Sequence, residues 1–169
     1  MEEAVQSTKV GKKLAPFNPA NDEVVDAALE LLHVRDNDII YDLGCGDARL
    51  LVKACTLNQT VRAVGIEYDL DICERARALV QSNNLSSEQI QIFHDNVLNI
   101  DFSAATCIFV YLVPEGMAML KESFLQALAR GVRIVSYVFS IPDLTPKEVR
   151  VYKSITKIYL YGNESSKAP

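Results

Sequence analysis

The sequence is poor in the residues that build disulfide frameworks and metal centres. It has two histidines and four cysteines, and the cysteines stand far apart with no C-x-x-C pair. This spacing favours reduced thiols in a core over a disulfide framework, and too few ligands lie together to predict a metal site. The cysteines are Cys45, Cys55, Cys73 and Cys107.

Long apolar runs are also missing. No stretch of eighteen apolar residues occurs, so the sequence predicts no membrane-spanning helix. The first residues, MEEAVQSTKVGKK, do not combine a basic start with an apolar run, so no secretory signal peptide is predicted either. These absences favour an intracellular protein, with the cytoplasm as the expected compartment.

An excess of positive charge is absent as well. The chain has 22 Asp and Glu residues against 17 Lys and Arg residues, which gives a net charge of -5. Without a global positive field, nucleic acid is not the expected partner. A local cationic cluster near the C-terminus is more typical of a solvated strand face than of a site for an anionic partner. It consists of Lys147, Arg150, Lys153 and Lys157.

The chain length suits one domain. A sequence of 169 residues with 49% apolar content supplies one core and is too short for two ordinary domains. Residues 1–15 lack periodicity, and we expect them to form a mobile N-terminal arm. A single domain over residues 16–162 and a short tail over residues 163–169 complete the predicted organisation.

Helical and strand patterns alternate along the chain. Apolar residues at three- and four-residue steps predict helices over residues 22–34, 49–57, 69–82 and 116–129. Runs rich in β-branched and aromatic residues predict strands over residues 39–43, 61–68, 90–94, 106–113, 132–140, 148–154 and 156–162. The alternation predicts a Rossmann-like, doubly wound α/β sheet that is mostly parallel. Because no helix separates the last two strands, an antiparallel pair should end the sheet.

Polar residues follow four of the predicted parallel strands. In an open sheet of this kind, ligands bind beyond the carboxyl ends of the strands. The residues concerned are Asp42, Gly44 and Gly46 after the first strand, Glu67 after the second, Asp95 and Asn96 after the third, and Tyr111 after the fourth. The sequence therefore predicts one ligand site along this edge.

The loop after the first strand indicates the charge of the ligand. Gly44 and Gly46 allow the backbone to approach a ligand closely, but Arg49 stands where the dinucleotide pattern G-x-G-x-x-G requires glycine. No P-loop motif occurs, and Asp47 in the loop disfavours a pyrophosphate while it tolerates a cation. An adenosine that carries a positive group is the expected ligand.

Two acids are candidates for contacts to that adenosine. Glu67 is suited to accept hydrogen bonds from both ribose hydroxyls, although an ordinary surface acid is the alternative. Asp95 is suited to accept a hydrogen bond from the exocyclic amine of adenine, although a helix cap is the alternative. Both alternatives remain open at the level of sequence.

The segments YDLGCGDARL, VGIEYD, HDNV and FVYLVPEGM, in that order, resemble the motifs of class I S-adenosylmethionine-dependent methyltransferases. The resemblance implies S-adenosyl-L-methionine as the cofactor. Asp42, Gly44 and Gly46 would hold its methionine part, Glu67 its ribose and Asp95 its adenine. Further cofactor contacts are expected from Cys45, Tyr68, Asn96, Tyr111 and Phe17. Phe17 would act as a lid, or alternatively would staple the first helix.

One position departs from the family pattern. Ala48 stands where the family usually has a further glycine, so a positive φ there would strain the alanine by roughly 1 kcal/mol.

A narrower resemblance is to the small lysine methyltransferases that act on the ATP synthase c-subunit and the adenine nucleotide translocase, and to compact bacterial relatives. It depends on APFNPANDEVV, DLGCGDAR, VYLVPEGMAMLKESF and ARGVRIVSYVF. It implies N-methylation of a protein lysine and a protein substrate. It also admits a mitochondrial location, although no targeting segment is visible.

Tyr111 is the candidate catalytic residue, because its hydroxyl can orient the substrate amine or its ring can line the amine channel. Packing is the alternative. The tetrapeptide [ND]-P-P-[YFW] of enzymes that methylate planar nitrogens is absent, and VYLVP stands there instead. This favours an aliphatic amine or a small molecule. A methyltransferase for RNA or a metabolite, and a non-catalytic cofactor-binding module, remain the rival functions, and the oligomeric state is not predicted.

Overall fold

The structure is a computed structural model, and it describes residues 20–162. The strands are β1 (Ile39–Leu43), β2 (Arg62–Glu67), β3 (Ile90–His94), β4 (Cys107–Val110), β5 (Arg133–Tyr137), β6 (Glu148–Tyr152) and β7 (Thr156–Tyr161). The helices are α1 (Asp22–Leu32), α2 (Arg49–Leu57), α3 (Leu70–Ser82), α4 (Pro114–Met119) and α5 (Lys121–Ala129), with a 3-10 turn at Val97–Asn99. The predicted arm, the predicted tail and Phe17 lie outside the described residues.

All seven strands form one sheet in the order β3-β2-β1-β4-β5-β7-β6. Strands β1 to β5 are parallel, and β7 pairs antiparallel with both β5 and β6. The predicted α/β fold with a terminal antiparallel pair is therefore confirmed. Among residues 20–162, no helix is long and apolar enough to cross a membrane.

Two apolar clusters cover the two faces of the sheet. One contains the buried faces of α1 and α2, together with Ala76 and Val80 of α3. The other contains Met117 of α4 and Phe124 of α5. Strand β4 has all four residues buried, as expected for a central parallel strand covered on both sides.

The helix predicted over residues 116–129 is wrong in two details. It begins earlier, at Pro114, because proline suits the first helical position, where its missing N–H removes no hydrogen bond. It is also divided into α4 and α5 at Leu120, whose φ of -96° and ψ of 0° leave regular helix geometry.

The topology brings the ends of β1 to β5 and one hairpin to the same edge of the sheet. The strand order reverses between β1 and β4, which is where open α/β sheets bind ligands. Because β7 runs antiparallel to β5, with Tyr137 paired to Ile158, the β6–β7 turn also lies at the carboxyl edge of β5. The carboxyl edge is therefore lined by five strand ends and this turn.

The opposite, amino edge of the sheet contains a buried ion pair. The guanidinium of Arg133 bonds one carboxylate oxygen of Asp38 at 2.5 Å and also bonds the carbonyl of Leu32. The hydroxyl of Thr106 donates to the other oxygen of Asp38 at 2.6 Å. These contacts join the chain before β1 to the starts of β4 and β5 and to the end of α1.

Candidate functional site

The glycine loop after β1 turns through three residues with positive φ. The φ angles are 84° at Gly44, 56° at Gly46 and 64° at Ala48. The loop is held against β2, because the N–H groups of Gly44 and Cys45 both donate to the carbonyl of Ile66, at 3.0 and 2.9 Å. A Cβ built on Gly46 would meet no atom within 4 Å, so open space lies beside this backbone.

Ala48 has a positive φ, so the strain that we expected for an alanine in that conformation is present. It is the N-cap of α2 with φ 64° and ψ 19°, a left-handed conformation that costs a residue with a Cβ roughly 1 kcal/mol or more. Its methyl group is fully buried in the core beside α2. The alanine therefore adds packing at a position that glycine would occupy without strain.

Asp47 of the loop is already neutralised by Arg49. The guanidinium bonds both carboxylate oxygens of Asp47, with a closest contact of 2.7 Å. Partial burial raises the pKa of Asp47, but the hydrogen bonds and charge of Arg49 outweigh that effect and leave the pKa lowered. Arg49 also donates to the carbonyl of Ala20 at 3.1 Å. Arg49, which stands where a dinucleotide-binding motif would have glycine, therefore connects the glycine loop to the chain before α1.

Asp42 and Glu67 form a buried acidic pair at the carboxyl edge. Their exposed fractions are only 2% and 4%, and neither forms an ion pair with a residue in the described part of the chain. Burial raises the pKa of Asp42 well above its usual value, and the charges of Glu67 and Asp47 raise it further. Such a pair favours a ligand that brings positive charge.

The hydrogen bonds of the two acids differ. Glu67 accepts a bond from the N–H of Gly46 on one oxygen and from the N–H of Asp69 on the other, both at 2.9 Å. Each carboxylate oxygen can accept a second hydrogen bond, so two acceptor positions remain for ligand hydroxyls. Asp42 has one buried oxygen, Oδ1, with no hydrogen-bond partner among residues 20–162. A buried acceptor without a donor is the feature that a polar or cationic ligand would satisfy.

Cys45 contacts the protein on all sides. Its sulfur lies where a Cβ on Gly65 would approach within 2.8 Å, and its carbonyl accepts the N–H of Ala48 at 2.9 Å. Burial raises the pKa of its thiol well above the usual value. These contacts explain why β2 has glycine at position 65, and a cofactor contact from Cys45 stays a prediction. All four cysteines are free and buried.

Asp95 and Asn96 follow β3 at the same edge and organise the next turn. Oδ1 of Asp95 accepts bonds from the N–H of Asn96 and from the side-chain amide of Asn99, at 2.6 and 2.9 Å. The side chain of Asn96 caps the 3-10 turn through the N–H of Leu98. Asn96 is therefore the cap, and Asp95 supports the turn through its bonds with Asn96 and Asn99, with Oδ2 unbonded to the described residues. A contact of Asp95 with adenine stays a prediction. Tyr68 is half-buried between Glu67 and α3.

Tyr111 lies beside a second tyrosine that the sequence patterns did not single out. Val110 and Ser136 are partners in the β4–β5 register, so Tyr111 and Tyr137 follow on neighbouring strands. Their ring centroids lie 4.8 Å apart at an interplanar angle of 61°, an edge-to-face contact. Burial raises the pKa of both hydroxyls, so both rings are neutral at physiological pH. The signal for Tyr137 was its position at the carboxyl end of a parallel strand, which the longer strand predicted over residues 132–140 concealed.

That strand ends early because Val138 has φ 68°. The N–H of Phe139 donates to the carbonyl of Tyr137 at 2.9 Å, which closes a three-residue turn of the strained γ type. A β-branched residue at positive φ is a genuine outlier and costs about 1 to 3 kcal/mol.

Among the described residues, no group of three or more His, Cys, Asp or Glu side chains is placed to hold a metal ion.

Comparison with known proteins agrees with this geometry. A family model described as the ANTKMT methyltransferase domain matches residues 42–148, which run from the buried Asp42 to β6. A protein-lysine N-methyltransferase of Saccharolobus islandicus (strain REY15A) is 34% identical over 134 residues, covering 79% of this chain and 83% of that protein.

Solved structures share the fold. A structure described as an RNA methyltransferase from Salinibacter ruber in complex with S-adenosyl-L-homocysteine has a TM-score of 0.79 and 27% identity, covering 89% of this chain and 98% of that one. A precorrin-6y C5,15-methyltransferase from Geobacter metallireducens has a TM-score of 0.62, covering 87% and 94% of the two chains. At 16% identity it supports the fold alone.

The fold and these relatives define the class as S-adenosylmethionine-dependent methyltransferases, and S-adenosylmethionine is the cofactor. The chain belongs to the ANTKMT methyltransferase family. The class I resemblance and the cofactor predicted from the sequence are both confirmed.

Proposed function

We propose that this enzyme N-methylates a lysine side chain of a protein. The observation that carries the proposal is the 34% identity to a protein-lysine N-methyltransferase over most of both chains. The site is consistent with that reaction, because its rim after β4 and β5 is formed by two neutral tyrosines. In place of the motif typical of enzymes for planar nitrogens, VYLVP follows the buried part of β4.

The cofactor would lie along the carboxyl edges of β1, β2 and β3. The backbone at Gly44 and Gly46 would approach its methionine part, with Asp42 supplying an acceptor and a negative charge. Glu67 would accept hydrogen bonds from the ribose, and Asp95 with Asn96 and Tyr68 would border the adenine. The unpartnered Oδ1 of Asp42 and the open space beside Gly46 support this placement.

When bound, the cofactor supplies a methyl group on a positively charged sulfur. The amine nitrogen would form a bond to the methyl carbon as the carbon–sulfur bond breaks, with that electron pair left on sulfur. The nitrogen would then carry the positive charge and release a proton to solvent. Alignment of nucleophile and leaving group by the protein can supply about 7 to 11 kcal/mol of the barrier reduction.

The protein must also favour the neutral form of the amine. A lysine has a pKa of about 10.4 in water, and an apolar channel lowers it by disfavouring the charged form. Tyr111 would contribute to this as a half-buried ring, and its hydroxyl would accept a hydrogen bond from the amine. Because the pKa of Tyr111 is raised, it is not a base at neutral pH. The rate should therefore rise with pH through the neutral range.

RNA methylation is the second candidate, favoured by the similarity to the Salinibacter ruber structure. The cations of the β6–β7 hairpin, Lys153 and Lys157, lie at the carboxyl edge and are exposed. The net charge of -5 gives no wider positive field to hold a phosphate backbone.

Methyl transfer to a cell lysate separates these candidates. The protein is incubated with S-adenosylmethionine that carries a tritiated methyl group and with a lysate freed of small molecules by gel filtration. Label that survives RNase, is removed by protease and elutes as methyllysine after acid hydrolysis is the expected result. Label that is sensitive only to RNase would overturn the proposal in favour of RNA. The Glu67→Ala variant is the control for transfer that depends on the site.

A further inference from the structure

We propose that the ring of Tyr137, together with Tyr111, forms the aromatic wall that receives the substrate amine, and that Tyr137 determines how tightly lysine and its methylated forms bind. This inference rests on the proposed lysine methylation. It concerns a residue of β5 that neither the sequence motifs nor the family match singled out.

The position of Tyr137 supports a contact with the substrate. The β4–β5 register places Tyr111 and Tyr137 side by side at the carboxyl edge. Both pack against the apolar cluster that also contains Cys45 and Ala48 of the glycine loop. The pair therefore lies on the same face of the sheet as the loop and beside the point where the strand order reverses. An amine that approached the glycine loop along this face would pass beside the two rings.

The chemistry of the pair suits the alkylammonium form in which the substrate arrives, before the amine loses the proton that transfer requires. Both rings are half-buried and neutral, and the edge-to-face packing at 4.8 Å fixes their relative orientation. The face of a neutral tyrosine ring attracts a cation, and aromatic walls are a known way to recognise methylated lysine. The neighbouring hairpin already contains such a contact, since Nζ of Lys153 lies 5.5 Å from the centroid of the Tyr152 ring.

The backbone next to Tyr137 is strained. Val138 has φ 68°, and its γ turn begins at the carbonyl of Tyr137. Strain of this size persists only where the surrounding contacts enforce it, and it concentrates at functional sites. Because the strand stops directly after Tyr137, its side chain is the last one that β5 directs to this face of the sheet.

The test uses an array of lysine-centred peptides that carry unmodified, monomethyl or dimethyl lysine. Transfer from S-adenosylmethionine is followed by mass spectrometry, and S-adenosylhomocysteine binding is measured by calorimetry. For Tyr137→Ala we expect KM for the peptides to rise at least tenfold, with the largest rise for the methylated forms, while S-adenosylhomocysteine binding changes less than threefold. Tyr137→Phe, which keeps the ring, should stay within threefold of wild type in KM.

Tyr159→Ala is the matched control. Tyr159 is also half-buried and lies one strand away, paired with Ser136, but it packs on the opposite face with the cluster beneath α4 and α5. A KM for Tyr137→Ala that equals the wild-type or Tyr159→Ala value would overturn the inference. So would equal damage from Tyr137→Phe, since the hydroxyl and not the ring would then act. A wild-type protein that methylates no peptide on the array but labels RNA would instead reject the proposed function.

Discussion

The two edges of the sheet treat buried acids in opposite ways. Asp38, just before β1, is bonded by Arg133 and Thr106 and has an exposed fraction of 6%. Asp42, four residues later, has an exposed fraction of 2%, and its Oδ1 has no hydrogen-bond partner in the described part of the chain. At the amino edge the negative charge is balanced within the protein, and at the carboxyl edge it is left for a ligand. The buried acid at the amino edge therefore stabilises the fold, and the buried acid at the carboxyl edge is suited to bind a ligand.

Breaking the ion pair at the amino edge should give the largest effect. Arg133→Met leaves Asp38 buried without its cation, so we expect the free energy of unfolding to fall by about 3 to 5 kcal/mol. Urea denaturation measures this change. The double variant Asp38→Asn/Arg133→Met should be less destabilised than Arg133→Met alone, because it has no unpaired charge. Equal stability of the two variants would show that the guanidinium acts through packing.

Removing Glu67, the proposed ribose acceptor at the carboxyl edge, should weaken cofactor binding more than folding. Glu67→Ala deletes an acceptor for the ligand and for the N–H groups of Gly46 and Asp69. We expect S-adenosylhomocysteine binding to weaken by about 1 to 3 kcal/mol in calorimetry. Glu88→Ala, an exposed residue before β3, is the control and should bind as wild type does. Unchanged affinity of Glu67→Ala would reject the ribose assignment.

A substitution of Asp42 should change ligand binding and protein stability in opposite directions. Asp42→Asn removes a buried charge, so we expect the ligand-free protein to gain about 1 kcal/mol of stability at pH 7. The variant should bind S-adenosylmethionine more weakly than wild type does. The affinity for S-adenosylhomocysteine should change less, because only S-adenosylmethionine carries the sulfonium charge. Thermal unfolding and calorimetry measure the two effects. A variant that is less stable than wild type at pH 7 would contradict this account.

The pH dependence of stability follows from the raised pKa of Asp42. A carboxyl group whose pKa is higher in the folded state than in the unfolded state favours folding at low pH, where it is protonated in both states. That contribution is lost as the pH rises from about 3.8 through the folded pKa. The difference in stability between Asp42→Asn and wild type should therefore grow with pH over this window. A difference that is constant with pH would exclude a titrating Asp42.

The smallest effect is expected at Ala48. Ala48→Gly relieves a left-handed conformation but loses a buried methyl group and adds unfolded-state entropy. These terms nearly cancel, so the free energy of unfolding should change by less than about 0.5 kcal/mol. Ala54→Gly, also buried but in regular helix, has no strain to relieve and should cost about 1 kcal/mol or more. Equal losses in the two variants would show that Ala48 is unstrained.

Local patterns predicted the bounds of several elements. The strand over Ile39–Leu43 and the helix over Arg49–Leu57 fall where the apolar periodicity placed them. Both have clear boundaries, the glycine loop between them and polar residues outside them. The carboxyl ends of parallel strands must meet at one edge, and Asp42, Glu67 and Asp95 lie along that edge, while their contacts with a cofactor stay predictions.

Features that depend on distant residues were not predictable from one sequence. The Asp38–Arg133 pair joins residues 95 positions apart, and no local pattern links them. The positive φ of Val138 contradicts the conformation that a β-branched residue favours, so the predicted strand ran past it. For the same reason the sequence did not indicate that Tyr137 ends its strand, because the predicted strand continued past it.

The uncompensated charge at the carboxyl edge bears on turnover as well as on affinity. Methyl transfer converts a positively charged sulfonium into a neutral thioether, so a cofactor held as proposed would be attracted less strongly to Asp42 and Glu67 once it is spent. The two carboxylates that would recruit the methyl donor would thus also ease the release of its by-product. Electrostatics alone would favour exchange of one for the other.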